Sequence, residues 1–320
     1  MGQWNEAKIG EIAEVKGGKR IPKGRKLIKE PNSHPYIRIR NLGKTKYMQL
    51  NTDYEYVDEE TQQMIARYIV NQGDILISVV GTIGLVGIVG NTLDKANQTE
   101  NCDKIINIKK VLSEYLYYYL VSSFGQDEIK KGTVGAVQPK LPLKNVKDII
   151  VKYPPIKEQK QIVEILSAID EKIELNETIN NNLLQQLHVL YLRLFCDSAM
   201  DTPLGDVVAT TSGGTPSRKH DEYYSDSSIC WVKSKELLGN YIHETEEHIN
   251  DLAIKKSSAK LLPEHSVLIA MYGATVGAYG VISKPMTCNQ AVCALLCNEN
   301  YPYTYLFQIC LLYTSDAADE

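Results

Sequence analysis

An internal duplication restricts the possible folds of this chain more than any other feature. Residues 9–12 (Ile-Gly-Glu-Ile) match residues 204–207 (Leu-Gly-Asp-Val), and a Gly-Gly pair follows each, at 17–18 and at 213–214. Three further pairs of segments keep the same order: 35–42 with 229–237, 73–87 with 265–280, and 96–98 with 288–290. Five matches in one order exceed what shared composition would produce. A repeating unit of about 110 to 150 residues is too long for a solenoid, so each copy is predicted to be a domain.

Each copy combines strand signals with helical ones. Segments such as "DILISVV" and "SVLIAMYG" indicate strands and "SEYLYYYLVSSF" indicates a helix, so the mixture predicts an α+β fold. The glycines of "GTIG" (81–84) and "GATVG" (273–277) fit neither a phosphate loop nor a dinucleotide fingerprint. They are better explained as strand-to-strand turns, in which glycine adopts positive φ or lets another backbone approach closely.

Between the copies, apolar residues recur at alternating steps of four and three. This heptad spacing runs without Pro or Gly over 162–194 and predicts one helix of roughly forty residues, about 60 Å long. Its candidate packing residues are Ile162, Leu166, Ile169, Ile173, Leu183, Leu187, Leu190 and Leu194. Because so narrow a stripe is unstable alone in water, it requires another helix. Asn176 and Asn180, at the centre of the seam, either fix the register of a helix pair or lie solvated in a loosened segment.

The charge is distributed unevenly along the chain. The whole sequence carries a formal charge of -4, but residues 1–50 hold twelve Lys and Arg against four Glu, a local balance of +8. Either this segment binds a polyanion or it is a solvated basic face. The acidic total excludes neither interpretation.

The cysteines and the hydropathy pattern favour a cytoplasmic protein. Seven cysteines without a C-x-x-C pair indicate reduced thiols, and no apolar run approaches the roughly 20 residues of a membrane helix. The N-terminus lacks a signal-peptide core. Cys288, Cys293 and Cys297 lie close together, but "NQAVCALLC" is typical of a buried strand rather than of a metal site. The sequence predicts no metal and no cofactor.

The segment that follows the first copy carries a family resemblance. Pro154-Pro155, Glu158-Gln159 and the Ile/Leu seam of "PPIKEQKQIVEILSAIDEKIE" stand between two related, glycine-marked copies. Together these motifs resemble the specificity subunit of type I restriction–modification systems over residues 4–309. The resemblance implies two tandem, related target-recognition domains joined by a long coiled-coil-type α-helix. Each domain would read one half of a bipartite site in double-stranded DNA.

The same resemblance implies a subunit that has no catalytic residues of its own. The helical region would act as a spacer and as the docking surface for modification (methyltransferase) subunits, and restriction subunits would join through them. The sequence agrees with this implication. It contains no methyltransferase "NPPY" or "NPPF" motif, no S-adenosylmethionine glycine loop, no Walker A motif and no nuclease carboxylate–lysine cluster.

These observations predict the domain boundaries and the candidate contacts. We expect a first domain over 1–152, a helical spacer over 153–196 and an incomplete second domain over 197–309. The candidate DNA-binding residues are Lys19, Arg20, Lys23, Arg25, Lys26, Arg38, Arg40, Lys44, Arg218, Lys219, Lys233 and Lys235. The strand-borne cations, which are Arg38, Arg40, Lys233 and Lys235, are weaker candidates than Lys19, Arg20, Lys23 and Arg25, because charges on strands can simply face solvent.

The end of the sequence departs from the family pattern. That pattern has a second long helical region after the second domain, which this sequence does not reach. Residues 310–320, "CLLYTSDAADE", resemble the translated read-through of a sequencing adapter, or else a natural frayed tail. Without a partner helix, the seam predicts self-association through residues 160–195. Two other functions stay open: a recognition fragment of a fused restriction enzyme, and a coiled-coil assembly scaffold that binds no DNA.

Overall fold

The computed structural model describes residues 4–195 and 202–316, and the chain divides into two compact units, Met1–Glu177 and Thr178–Glu320. The strands of the first unit are β1 (Asn5–Lys8), β2 (Glu14–Gly17), β3 (Pro35–Ile37), β4 (Tyr47–Met48), β5 (Glu55–Tyr56), β6 (Ile75–Ser78), β7 (Val86–Val89), β8 (Asn97–Gln98), β9 (Cys102–Ile106) and β10 (Ile150–Tyr153). Its helices are α1 (Ile9–Ile12), α2 (Glu59–Ile65), α3 (Ser113–Val121), α4 (Ser123–Gly132), α5 (Leu143–Asp148) and the first part of α6 (Ile156–Phe195). The continuous α6 confirms the prediction of one long helix.

The first unit is built on one five-stranded and one three-stranded sheet. The strand orders are β2-β9-β6-β7-β4 and β5-β3-β8, and β1 pairs separately with β10. The central strand β6 is buried along its whole length, which fits its uninterrupted apolar sequence Ile-Leu-Ile. Helix α3 covers the larger sheet with Leu116 and Leu120, which are fully buried in the same core as Ile75 and Ile77.

The second unit repeats eight of these ten strands, β2 to β9, in the same order. Its strands are β11 (Ala209–Ser212), β12 (Ile229–Val232), β13 (Tyr241–Ile242), β14 (His248–Ile249), β15 (Val267–Ala270), β16 (Tyr279–Ile282), β17 (Thr287–Cys288) and β18 (Val292–Leu296). Its helices are the end of α6, α7 (Leu204–Val207), α8 (Asp251–Lys256) and α9 (Tyr303–Asp316). The sheet orders are β11-β18-β15-β16-β13 and β14-β12-β17, the same as in the first unit. The predicted duplication and the predicted α+β class are therefore confirmed.

Backbone pairing corrects the match of the Gly-Gly pairs. Gly18 N donates to Cys102 O at 3.2 Å, and Gly213 N donates to Val292 O at 3.2 Å. Cys102 and Val292 begin the equivalent strands β9 and β18. Gly18 is therefore the equivalent of Gly213, and the match predicted from the sequence is wrong by one residue.

The match of the Asn-Gln pairs is also wrong, by two residues. Gln98 is paired with Ile37 in the first unit, and the equivalent Val232 is paired with Cys288 rather than with Gln290. Loops of different length shift the numbering between the copies. Identical letters then align positions that the sheets do not.

The glycine turns join antiparallel strands, as the sequence predicts. Gly81 and Gly84, between β6 and β7, have φ of 76° and 87°. Gly273 and Gly277, between β15 and β16, have φ of 84° and 83°. All four lie in the left-handed region, where a side chain would be strained.

The start of α6 is fastened to the first unit by Gln159. Its buried side chain accepts a hydrogen bond from Leu112 N at 2.9 Å and donates to Pro154 O at 2.8 Å and to Lys110 O at 3.2 Å. Ile162 packs against the core of the same unit. The Pro-Pro and Glu-Gln motifs therefore fix where the helix leaves this domain.

Beyond this start the apolar stripe of α6 is exposed. Ile162 and Leu166 are half-buried. The other packing residues are between 42% and 62% exposed: Ile169, Ile173, Leu183, Leu187, Leu190 and Leu194. The stripe that the heptad pattern predicts is thus present, and most of it faces solvent in a single chain.

The predicted domain boundaries differ from the division by compactness, which falls inside α6 between residues 177 and 178. The boundaries at 152, 196 and 309 stay predictions. Helix α9 crosses the last of them, and Leu306 and Cys310 are buried in the core of the second unit. Within the described ranges, no helix combines the length and apolar character needed to cross a membrane.

Asp103 in β9 makes stability depend on pH. Its side chain is buried, its Oδ2 has no hydrogen-bond partner among the described residues, and burial raises the pKa of the carboxyl to about 6. A pKa above the unfolded value of 3.8 favours the protonated folded state. The contribution of this carboxyl to the free energy of unfolding is therefore complete below the unfolded pKa of 3.8 and is lost as the pH rises through the folded pKa of about 6.

We expect Asp103→Asn to stabilise the chain by roughly 2 kcal/mol at about pH 8 and by much less at about pH 4, because asparagine removes the ionisation but keeps the shape. Urea unfolding at both pH values measures the difference. The exposed Asp127→Asn is the control and should change neither value. An equal gain from Asp103→Asn at both pH values would contradict the role of ionisation.

Candidate nucleic-acid interface

Two arginines follow the end of β3 in the first unit. The chain leaves β3 through a 3-10 turn, Ile39–Asn41, in which Asn41 Oδ1 accepts a hydrogen bond from Arg38 N at 2.8 Å. Arg38 Nη1 lies 2.6 Å from Glu55 Oε2, and Arg40 Nη2 lies 3.0 Å from the same oxygen. One carboxylate on the neighbouring strand β5 thus orients both guanidinium groups.

These arginines line a groove of about 880 Å³. Its charged lining residues are Arg20, Lys26, Arg38, Arg40, Glu55 and Glu100. Four cations against two carboxylates leave a positive groove. Thr82, from the glycine turn between β6 and β7, and Asn101 also line it. The groove therefore joins three of the matched sequence motifs and offers both charge and hydrogen-bonding groups.

The remaining candidates of the first unit, which are Lys19, Lys23, Arg25 and Lys44, do not line this groove. Arg25 forms ion pairs with Asp58 and Glu60. Lys44 Nζ lies 3.0 Å from Asp53 Oδ2. The structure thus separates the eight candidates of the first unit into four that line the groove and four that do not.

The equivalent strand end of the second unit carries lysines. Lys233 Nζ lies 2.5 Å from Glu247 Oε1, and Lys235 Nζ lies 2.6 Å from Glu246 Oε2. Arg218 makes a second ion pair with Glu247. The structure therefore brings Arg218, Lys233 and Lys235 together around two carboxylates.

Aromatic rings support the arginine of this second cluster. The Arg218 guanidinium lies 4.4 Å from the ring centroid of Tyr224 and 5.4 Å from that of Trp231. Such cation–π contacts hold the guanidinium plane in place. Lys219, the next residue, is exposed.

Glu55 and Glu247 are equivalent residues that the sequence did not reveal. Glu55 pairs with Tyr36 across β3 and β5, and Trp231 N donates to Glu247 O at 3.1 Å beside β12 and β14. In both copies this carboxylate holds the first cation after the strand. No spacing along the chain indicates that the carboxylate and its cation are partners, because they belong to different strand segments and meet only through strand pairing.

Hydrogen bonds lower the pKa of two acidic partners, Glu247 and Glu100. The bond with Lys233 lowers the pKa of Glu247, and the same bond raises the pKa of Lys233. Burial acts to raise the pKa of Glu100, but the hydrogen bond from Arg20 Nε, at 2.5 Å, together with the bonds from the Glu100 backbone and Thr99, lowers the pKa below its ordinary value. A bound polyanion must therefore compete with carboxylates for the cations that they already hold: Arg20, Arg38, Arg40, Arg218, Lys233 and Lys235.

Close backbone approach explains the Gly-Gly segments. A Cβ on Gly18 would lie 2.0 Å from Thr99 O, and one on Gly213 would lie 2.1 Å from a carbonyl oxygen of β17. The matched aromatic residues Tyr36 and Trp231 each donate a hydrogen bond to a backbone carbonyl of this segment, at 2.7 and 3.0 Å. These contacts hold the start of each basic segment against β3 in the first unit and β12 in the second, the strands whose ends carry the cations.

The fold places the chain in a class of proteins that have two related α+β domains joined by a long helix. In this chain, cations follow the equivalent strands β3 and β12 of the two domains. A family model described as "Type I restriction modification DNA specificity domain" matches residues 1–185 and again residues 199–316. The chain belongs to this family. The α+β tandem architecture inferred from the resemblance is therefore confirmed.

Individual relatives agree with the family match. The chain is 27% identical over 294 residues to the type I restriction enzyme MjaIX specificity subunit of Methanocaldococcus jannaschii, covering 84% of this chain and 66% of the relative. It is 26% identical over 211 residues to the EcoR124I/EcoR124II specificity subunit of Escherichia coli, covering 62% and 51%. The chain thus spans about two thirds and about half of these two relatives.

A solved structure is similar over nearly the whole chain. The type I restriction–modification S subunit from M. genitalium superimposes with a TM-score of 0.58 at 14% identity, covering 99% of this chain and 79% of that one. At this identity the likeness concerns the fold alone.

Proposed function

We propose that the chain is a sequence-specific DNA-binding subunit that recognises a bipartite double-stranded target. The observation that carries this proposal is the repeated arrangement at the ends of β3 and β12, where a carboxylate holds the first cation after the strand in both copies. Two equivalent clusters of cations in one chain fit two DNA half-sites. Family membership favours this function over the scaffold and over the fragment of a fused enzyme.

Affinity and specificity would come from different contacts of these surfaces. Lys and Arg that reach phosphates supply affinity and position, whereas side chains that reach base edges supply specificity. The guanidinium of Arg38 can bond a guanine edge with two donors, while the ammonium of Lys233 at the equivalent position is a point charge. The two copies would therefore read different half-sites with one scaffold.

Helix α6 would separate the two readers and receive other subunits. Forty helical residues extend about 60 Å, and the exposed stripe from Ile169 to Leu194 provides the apolar surface that a helical partner needs. We assign this surface to modification (methyltransferase) subunits, through which restriction subunits join. The six described cysteines are free thiols, which supports a cytoplasmic location.

The chain alone should not transfer a methyl group. We expect no binding of S-adenosylmethionine and no DNA cleavage by the purified chain, because its described residues contribute a charged surface rather than a cofactor site. Methylation of adenine should appear only after cognate modification subunits are added, and a tritiated methyl-transfer assay measures it. Methylation by a chain purified to homogeneity would overturn the proposal, as would its absence from a reconstituted complex that binds DNA.

A further inference from the structure

The second unit brings together a thiol, a carboxylate and an imidazole, three side-chain groups that can bind a metal ion. They lie outside the cluster of Arg218, Lys233 and Lys235. Cys230 on β12 and His248 on β14 are direct cross-strand partners in the antiparallel ladder. Glu244 lies four residues before His248 and contacts both side chains. Its Oε1 is 3.0 Å from Cys230 Sγ and 2.5 Å from His248 Nε2. The three donor atoms lie within 4.8 Å of one another.

This donor set suits zinc. Thiolate, imidazole and carboxylate are the three protein ligands of Zn²⁺, at about 2.0 to 2.3 Å from the ion. A tetrahedral ion would need the donors slightly farther apart than the hydrogen bonds hold them. Glu244 is exposed and can move outward, while the paired strands keep Cys230 and His248 facing each other. Three protein ligands leave a fourth position for water.

The competing groups around the three ligands are displaceable. Lys284 Nζ lies 3.1 Å from Glu244 Oε2, and its side chain is nearly half exposed, so it can leave the carboxylate when a dication binds. Zinc binds the thiolate form of cysteine, so the ion would replace the thiol proton of Cys230 and release that proton to solvent.

We propose that Cys230, Glu244 and His248 form a Zn²⁺ site in the second unit. The fold does not require this trio, because the strand positions equivalent to Cys230 and His248 are Pro35 and Tyr56 in the first unit. The sequence predicted no metal, because the only group of cysteines close together along the chain is the one at 288–297. The donors of this site lie apart along the chain and meet only through strand pairing.

The ion would fasten the segment between β13 and β14. Glu244 belongs to the same segment as Glu246 and Glu247, which hold the lysines of the second basic cluster. Zinc would link this segment to β12 through Cys230. The ion would therefore hold this segment in place, and the site stands independently of any DNA target.

Titration of the chelator-treated full chain, purified without a histidine tag, tests the site. We expect one Zn²⁺ per chain by calorimetry, and Co²⁺ should give the absorption of a thiolate–cobalt bond. Cys230→Ser and His248→Gln should each weaken binding by at least about 100-fold, more than the loss of an outer-shell partner costs. The matched controls Cys293→Ser and Cys297→Ser should bind as the unmodified chain does.

Substitution of Lys284 tests the site in the opposite direction. Lys284→Gln should tighten Zn²⁺ binding, because it removes a cation that competes for Glu244. Circular dichroism tests whether each variant is folded. If Cys230→Ser does not fold, His248→Gln, which changes a half-buried position, still tests the site. Absence of a stoichiometric site, or equal binding by the folded Cys230→Ser and His248→Gln variants, would overturn the assignment.

Discussion

Replacing Arg20, Lys26, Arg38 and Arg40 with Gln should flatten the salt dependence of DNA binding. Each phosphate contact contributes close to 0.9 to the slope of log K against log salt, so the substitution should remove roughly two units if only Arg20 and Lys26 contact phosphates and up to about four units if all four residues do. The groove carries four cations in one place, and its two carboxylates remain as repulsive charges after the substitution. Fluorescence anisotropy over a salt series, on a duplex that carries the target, measures the slope.

Charge-matched variants separate the groove from a general effect of net charge. Lys130, Lys144, Lys147 and Lys157 are exposed residues outside the groove, and their replacement with Gln removes the same charge. We expect this control to change the slope by less than about one unit. Equal slopes for the two quadruple variants would mean that the groove is not the contact surface.

The basic residues outside the groove test the original ranking of candidates. The sequence favoured Lys19, Arg20, Lys23 and Arg25, but only Arg20 of these lines the groove. Arg25 is engaged by Asp58 and Glu60, much as the groove arginines are engaged by Glu55 and Glu100, so its position outside the groove is what sets it apart. Substitution of Lys19, Lys23 and Arg25 should therefore flatten the slope less than substitution in the groove does.

The unmodified chain should self-associate through α6 and sediment as a dimer at tens of micromolar. Six packing residues of the stripe are between 42% and 62% exposed, and burial of apolar area is worth about 25 cal/mol per Å². An antiparallel helix pair would cover this stripe. Replacing Ile173, Leu183, Leu187 and Leu190 with Ser should return the chain to a monomer, which sedimentation velocity detects.

The choice of these four positions follows from the structure. Leu166 is half-buried and lines a hollow beside Tyr115 and Tyr118, so its replacement would damage the first unit as well as the stripe. Ser substitutions at Glu171, Asn181, Asn182 and Gln185, exposed polar positions off the heptad seam, are the matched control and should leave the dimer intact. A clean monomer for the unmodified chain would contradict the account of the exposed stripe.

Much of the fold was predictable because its signals are local or repeated. The heptad spacing predicted α6, and the order of matched segments predicted two related domains. The glycine turns were predictable because positive φ at Gly81 and Gly273 follows from residue type. Each of these inferences depends on spacing along the chain.

The features that were missed depend on strand register. The partnership of Glu55 with Arg38 spans strands, and so does that of Glu247 with Lys233. Letters alone also misaligned the Gly-Gly and Asn-Gln matches, because loops of different length separate the strands that position them. Hydrophobic alternation shows that a strand exists, but which residues face each other across a sheet is decided by tertiary packing.

Selection of bound duplexes from a random DNA library tests whether the chain contains two DNA readers. We expect enrichment of two short motifs at a fixed separation. Substitution of Arg38 and Arg40 should erase one motif, and substitution of Arg218 and Lys233 should erase the other, because each unit carries its own basic cluster. Enrichment of no motif, or loss of both motifs from a change in either unit, would contradict two independent readers in one chain.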